Sequence, residues 1–174
     1  RLIGGGGRDS YDGGPSVDTA TLDFADETLD IRIDNSNVAI VAAILRGGVE
    51  YGTIVGVENL YFIGGSGDDY VQSYGGVENI FASGNWLEGR AGNDILIGGN
   101  GFDTLVGGEG DDVLEGGGAS DWVLFDLASG PVIVDLTVST PQETGQGVDT
   151  ITNVENVSGS PFNDVLTGNA ADNT

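Results

Sequence analysis

From residue 87 onward the chain sets one large apolar side chain in the core-facing slot every nine residues, at Leu87, Leu96, Leu105, Leu114 and Val123. The neighbours of each slot are mixed, from Glu88 and Thr104 to Ile95 and Trp122, and the intervening residues are rich in glycine, aspartate and asparagine. A three-residue segment with one central apolar residue predicts a short strand with one buried face. The glycine-rich segment between strands predicts a turn, because glycine accepts positive φ and close backbone approach. Strand and turn alternating at this period predict a flattened coil. Two nonapeptides complete one circuit of 18 residues, which advances the coil by one strand spacing of about 4.8 Å. Val71, Ile80, Leu87, Leu96, Leu105, Leu114 and Val123 then form two facing columns, and right-handed connections are expected in such a parallel stack.

The period is explicit in the four consecutive blocks of residues 89–124, GRAGNDILI, GGNGFDTLV, GGEGDDVLE and GGGASDWVL. It recurs as GGSGDDYVQ at 64–72, GGGGRDSYD and GGPSVDTAT at 4–21, and GSPFNDVLT at 159–167. The spacing weakens at 73–88, where Glu78 and Ile80, then Asn85 and Leu87 after a two-residue deletion, take the sixth and eighth positions. That stretch predicts degenerate coils without good turns. Two strand-rich segments interrupt the blocks and look like copies of each other. TLDFADETLDIRID from Thr21 parallels LFDLASGPVIVDL from Leu124, with Leu22, Asp23, Phe24 and Ala25 set against Phe125, Asp126, Leu127 and Ala128. The alternation of Ile31 with Ile33 and of Val132 with Val134 favours strands. Further on, GTIVGVENL from Gly52 parallels DTITNVENV from Asp149.

These blocks resemble the GGxGxDxUx nonapeptide repeat of secreted bacterial RTX (repeats-in-toxin) proteins, in which U is a large apolar residue. The blocks at 64, 98 and 107 match in full. Arg90 replaces a second glycine, Ala119, Ser16 and Phe162 replace fourth ones, and Ser160 displaces another. The resemblance implies an all-β fold, a right-handed parallel β-roll or β-solenoid with calcium-binding turns. The whole of 1–174 then reads as one elongated solenoid. Calcium turns occupy 1–21 and a strand-rich insert 22–63. A calcium-turn block follows at 64–124, degenerate at 73–88, then a second insert at 125–158 and truncated calcium turns at 159–174.

Composition narrows the chemistry. The 174 residues hold 32 glycines, no cysteine and no histidine, and the charge balance is -23. Thiolate and imidazole metal sites, disulfides and Ser/His/Asp triads are excluded. A polyanion or an anionic bilayer would be repelled, so nucleic acid is a poor partner. The longest aliphatic run, Val38 to Leu45, is eight residues, well below the roughly 20 of a membrane span, so membrane insertion is not expected. All five cations are arginines and none is lysine. Stacked coils bring Asp94 near Asp112 and Asp103 near Asp121. At about 5 Å and an effective dielectric near 20, such a pair repels by roughly 3 kcal/mol. A cation has to lie between them, and turn carbonyls with paired carboxylates suit calcium better than magnesium, which holds its waters and demands a tight octahedron.

In proteins that this chain resembles, each ion lies between two turns on one edge. It takes carbonyls from the first and third positions of one turn, from the second and fourth of the other, and both sixth-position aspartates. One site would thus use Gly89, Ala91 and Asp94 with Gly108, Gly110 and Asp112. A second would use Gly98, Asn100 and Asp103 with Gly117, Ala119 and Asp121. Asp9, Asp18, Asp69 and Asp164 hold the same phase in the remaining blocks.

The VEN tripeptide occurs three times, with Glu58, Glu78 and Glu155 at the aspartate phase and Asn59, Asn79 and Asn156 after it. A single active site has no need of three copies, so these are read as turns without calcium. Trp86 and Trp122 at the seventh position point outward, as aromatic cover over a narrow core or, less simply, as a platform for sugars. Neither GxSxG nor HExxH occurs, and no acid/base constellation stands outside the repeats, so catalysis is not expected. Two non-enzymatic readings remain. One is a structural or adhesive section of a secreted bacterial surface protein or extracellular fibre, folding on calcium after type I secretion. The other is a non-catalytic C-terminal module of a secreted hydrolase or alginate epimerase, aiding secretion, folding or polysaccharide binding. The interspersed VEN inserts favour the first. The sequence begins and ends inside a block. This gives the further expectation of flanking domains in the same chain or of head-to-tail self-association, with Asp9 or Asp18 meeting Asp164 of a neighbour.

Overall fold

The computed structural model describes residues 2–3, 8–15, 17–37, 42–73 and 84–174. All of its regular elements are strands. In order they are β1 (Leu2–Ile3), β2 (Ser10–Asp12), β3 (Thr19–Asp23), β4 (Ile31–Asp34), β5 (Ala42–Arg46), β6 (Val49–Val55), β7 (Asn59–Ile63), β8 (Tyr70–Gln72) and β9 (Trp86–Ala91). There follow β10 (Ile95–Gly99), β11 (Thr104–Glu109), β12 (Val113–Gly117), β13 (Trp122–Leu124), β14 (Ile133–Asp135), β15 (Gln142–Glu143), β16 (Val148–Thr152), β17 (Asn156–Ser158) and β18 (Val165–Thr167).

Successive nonapeptides alternate between two sheets, because each glycine turn carries the chain from one to the other. The first sheet runs β1-β3-β7-β9-β11-β13-β17 and is parallel throughout. The second runs β15-β16-β12-β10-β8-β4-β5-β6-β2, and a two-strand sheet joins β14 to β18. Leu96 pairs with Leu114 and Leu105 with Val123, so one coil is 18 residues, as the spacing predicts. Register stacks Leu22, Phe62, Leu87, Leu105, Val123 and Val157 in the first sheet. It stacks Ile33, Val71, Leu96, Leu114 and Ile151 in the second. The two columns meet in a single core one side chain deep.

The degenerate stretch departs from the expected pattern. Phe62 pairs directly with Leu87, and Val71 with Leu96, so no strand stands between them in either stack. Tyr70 and Ile95 are 25 residues apart, seven more than one coil, and the excess lies between β8 and β9. Ile80, Glu78 and Asn79 fall outside the described residues. Leu87 and Asn85 keep the predicted phase, both buried.

The internal duplication is structural, with an alignment that differs from the sequence match. The Phe24 N–H donates to Ile63 O (2.8 Å) and the Phe125 N–H to Ser158 O (2.9 Å). The Ile31 N–H donates to Asp69 Oδ1 (2.7 Å) and the Val132 N–H to Asp164 Oδ1 (2.9 Å). Asp34 accepts from the Ser36 backbone and hydroxyl as Asp135 does from those of Thr137. Phe24 therefore corresponds to Phe125, not to Leu127. The cause is strand length: β3 and β7 have five residues each where β13 and β17 have three, so the two-residue difference falls inside the strand.

Candidate calcium-binding turns

The turns of residues 64–69, 89–94, 107–112 and 144–149 lie on one edge of the roll, between a strand of the first sheet or an insert and a strand of the second. Those of 98–103 and 116–121 lie on the other. Along each edge the sixth-position carboxylates form a ladder. Asp94 Oδ1 accepts the Asp69 N–H (2.8 Å), Asp112 Oδ1 the Asp94 N–H (2.9 Å), and Asp149 Oδ1 the Asp112 N–H (2.9 Å). Across the roll, Asp103 Oδ1 accepts the Asn85 N–H (2.7 Å), Asp121 Oδ1 the Asp103 N–H (2.8 Å), and Glu155 Oε2 the Asp121 N–H (2.9 Å). One carboxylate oxygen per residue is thus spent fastening a coil to its neighbour.

The other oxygen has no such role. Oδ2 of Asp18, Asp69, Asp94, Asp103, Asp112 and Asp121 is buried and accepts no hydrogen bond. Buried polar atoms without a partner are rare in folded proteins, and a row of them repeated at one phase fits a cation-binding role. Those of Asp69, Asp94, Asp103, Asp112 and Asp121 fold back over the first glycine of their own turns. A Cβ at Gly64, Gly89, Gly98 or Gly107 would collide with the Oδ2 of Asp69, Asp94, Asp103 or Asp112. The leading glycine is therefore required by the carboxylate that faces it. Among the described residues no three acidic side chains converge. The sites instead offer paired carboxylates with backbone carbonyls, a hard, all-oxygen donor set of the kind calcium takes at about 2.3 to 2.6 Å.

Burial raises the carboxyl pKa of the six buried ladder aspartates. Desolvation pushes Asp94 up to about 8 and Asp112 and Asp121 to about 7, with repulsion from neighbouring carboxylates adding to it. Asp69 is raised to about 6, and Asp103 and Asp149 are also raised, burial leading in each case. Asp164 behaves oppositely. Its carboxyl is lowered by hydrogen bonds from the Ser160 hydroxyl (2.5 Å) and the Val132 N–H, and the residue is half-buried.

The structure brings together the two predicted residue sets. Gly89, Ala91 and Asp94 lie beside Gly108, Gly110 and Asp112, with Arg90 in register with Gly108 and Ala91 with Glu109. Gly98, Asn100 and Asp103 lie beside Gly117, Ala119 and Asp121, with Gly99 in register with Gly117. Arg90 and Ala119 adopt the left-handed conformation that glycine holds in equivalent turns, φ 82° and 86°. On its other side the second set meets an amide and a hydroxyl, since Gly98 O accepts from Asn85 Nδ2 and Ser73 Oγ. Asp69 joins the first edge. Asp18 pairs its N–H with Glu58 Oε2 (2.9 Å), and most of the turn leading to Asp9 lies outside the described residues. The described VEN turns place Val57 and Val154 in the core and use Glu58 and Glu155 as ladder acceptors.

Two features escaped the sequence reading. Residues 144–149, TGQGVD, form a further turn in phase, with Asp149 buried. Its signal is the nonapeptide pattern with threonine in the first position, and the Thr144 hydroxyl donates to the otherwise free Asp149 Oδ2. The fifth-position residues form a second ladder, in which Asp30 accepts from the Asp68 N–H, Asp68 from Asn93, Asn93 from Asp111, and Asp111 from Val148.

A parallel β-roll with carboxylate-lined glycine turns is the class that fold and site define. The family model of the RTX calcium-binding nonapeptide repeat matches in four copies, over residues 1–20, 88–123 and 153–174. The chain carries RTX repeats, and such repeats bind calcium. A search of curated proteins returns no match.

Proposed function

We propose that this chain is a structural or adhesive section of a secreted bacterial surface protein or extracellular fibre, held folded by calcium after export. The observation that carries the reading is the row of buried, unpartnered Oδ2 atoms along both edges. Such a stack is self-repelling at neutral pH until divalent cations enter it, which couples folding to a calcium-rich exterior. The core one residue deep makes the coupling strong, because little apolar burial offsets chain entropy. Asp94 and Asp112, with the carbonyls of Gly89, Ala91, Gly108 and Gly110, form one site. Asp103 and Asp121, with those of Gly98, Asn100, Gly117 and Ala119, form the second. The strand-rich inserts, present twice with matching hydrogen bonds, lengthen the stack, as expected for a spacer. The open face of β17 and β18 at one end suits a neighbouring coil of this or a flanking domain.

Circular dichroism tests the first half of the proposal. A strong β signal in millimolar calcium that collapses in excess chelator supports it, and an unchanged signal in chelator sinks it. Antibody against the chain tests the second half on intact cells of the source bacterium. Surface labelling that chelator releases supports a surface role, whereas recovery solely with a soluble hydrolase or epimerase activity would favour the accessory module.

A further inference from the structure

Of the buried ladder aspartates, one is satisfied differently from the rest. Oδ2 of Asp69, Asp94, Asp103, Asp112 and Asp121 is buried without a hydrogen-bond partner, and each lies over the leading glycine of its turn. Asp149 is as deeply buried as Asp112, both 1% exposed, yet its Oδ2 accepts the hydroxyl of Thr144. Thr144 puts a Cβ where, in the other five turns, one would collide with this oxygen, and its hydroxyl makes the close approach a hydrogen bond. The hydroxyl oxygen accepts the Gln146 N–H (3.4 Å), which leaves its own proton directed at Asp149. Oδ1 of Asp149 accepts the Asp112 N–H (2.9 Å), so both carboxylate oxygens are engaged.

The backbone of this turn is engaged as well, for a reason of topology. The turns of 64–69, 89–94 and 107–112 carry the chain from the first sheet to the second. Residues 144–149 instead close a hairpin, since β15 runs antiparallel to β16. The Thr144 N–H donates to Gly147 O (3.0 Å), and the Ile133 N–H to Thr144 O (2.9 Å). The positions that make the Asp94–Asp112 site would, one coil further on, bring Gly107, Glu109 and Asp112 to an ion together with Gly145, Gly147 and Asp149. Calcium entering there would have to displace the hydrogen bonds already made to Gly147 O and Asp149 Oδ2, whereas a leading glycine leaves its carboxylate free.

We propose that Thr144 decides where calcium binding stops on this edge: its hydroxyl holds the place of an ion at Asp149, so the row ends at the Asp94–Asp112 site and the turn of 144–149 is calcium-free. The inference rests on the calcium reading of the glycine turns. The other edge ends in the same coil, where Glu155 takes the sixth position and accepts the Asp121 N–H (2.9 Å). The coil of β16 and β17 thereby terminates both rows, at a point set by Thr144 and Glu155 while the strands themselves continue.

Equilibrium dialysis in millimolar calcium, counting ions bound per chain, tests this on the wild-type chain, Asp149→Asn, Thr144→Gly and the double variant. Asp149→Asn keeps the side chain's shape and the bond from the Asp112 N–H, and its amide can donate to the Thr144 oxygen in return. It should leave the number of ions unchanged. Thr144→Gly should bind one ion more than the wild type, and Asp149→Asn in that background should remove it. Loss of an ion on Asp149→Asn alone overturns the inference, because Asp149 is then a ligand beside Thr144. An unaltered count in a folded Thr144→Gly chain overturns it too, and if that variant loses its β signal the count for Asp149→Asn decides. A wild-type chain that takes up no calcium defeats the calcium reading itself, a result distinct from the other two.

Discussion

Asp112 and Asp164 hold the same phase in the repeat and face opposite circumstances. Asp112 is 1% exposed, its Oδ2 has no partner, and carboxylates stand on both sides of it in the ladder. Asp164 is half-buried, and Ser160 already donates to it. Asp112→Ala should therefore lower calcium affinity by about ten-fold or more, and Asp164→Ala by a few-fold at most. Isothermal titration of the two variants measures the difference, and equal losses would contradict the ladder. A second residue-scale test uses backbone strain. Ala119 holds φ 86°, a conformation that costs a residue with a Cβ about 1 kcal/mol. Ala119→Gly should raise stability in saturating calcium by roughly 0.5–1 kcal/mol, read from denaturant midpoints. Arg90 at φ 82° is a poorer place for the same test, because replacing it also removes its ion pair with Glu88 (3.0 Å).

At the scale of the element, the turn ladder couples proton and calcium binding. Asp94, Asp112, Asp121 and Asp69 have folded pKa values of about 8, 7, 7 and 6, raised by burial from an unfolded value of 3.8. Between those limits the folded, metal-free chain holds more protons than the unfolded one, so its stability falls as pH rises from about 4 to about 8. In chelator the β signal should be larger at pH 5 than at pH 8; calcium should restore it at pH 8, and calcium added at pH 5 to the folded, protonated chain should release protons. A metal-free signal that grows with pH would reverse the assignment. The elements were legible in the sequence wherever the nonapeptide is unbroken, because one apolar residue per strand and a fixed turn length leave one register. Legibility failed at two places among the described residues, each for a stated cause. The duplication was aligned two residues out, because strand lengths differ inside β3 and β13. The turn at Thr144 was passed over because a hydroxyl takes the place of the leading glycine. The paired carboxylates, by contrast, were readable from period alone, since an 18-residue coil fixes which aspartates stack.

The whole molecule is a stack whose coils do not contribute equally. Leu114 is fully buried between Leu96 and Ile151, whereas Leu166, at the same core-facing phase in the terminal strand β18, remains 42% exposed. β18 is fastened on one side by β14. Its counterpart in the first copy, β8, is covered by β4 on one side and β10 on the other, and Asp69 receives there the burial that Asp164 lacks. In such one-dimensional architectures stability is approximately a sum of coil terms and nearest-neighbour interfaces, so a residue's cost on truncation follows its place in the stack. Leu114→Ala should cost about 2–5 kcal/mol in saturating calcium, the range for a closed core position, and Leu166→Ala less than about 1 kcal/mol. Appending one 18-residue coil, a copy of residues 87–104 in phase after Thr174, would cover β17 and β18 and supply an aspartate to accept the Asp164 N–H as Asp94 accepts that of Asp69. In that extended chain Leu166→Ala should approach the cost of Leu114→Ala. Chemical denaturation of the four variants measures this coupling, and a Leu166 cost that ignores the added coil would show that the stack does not propagate beyond β18.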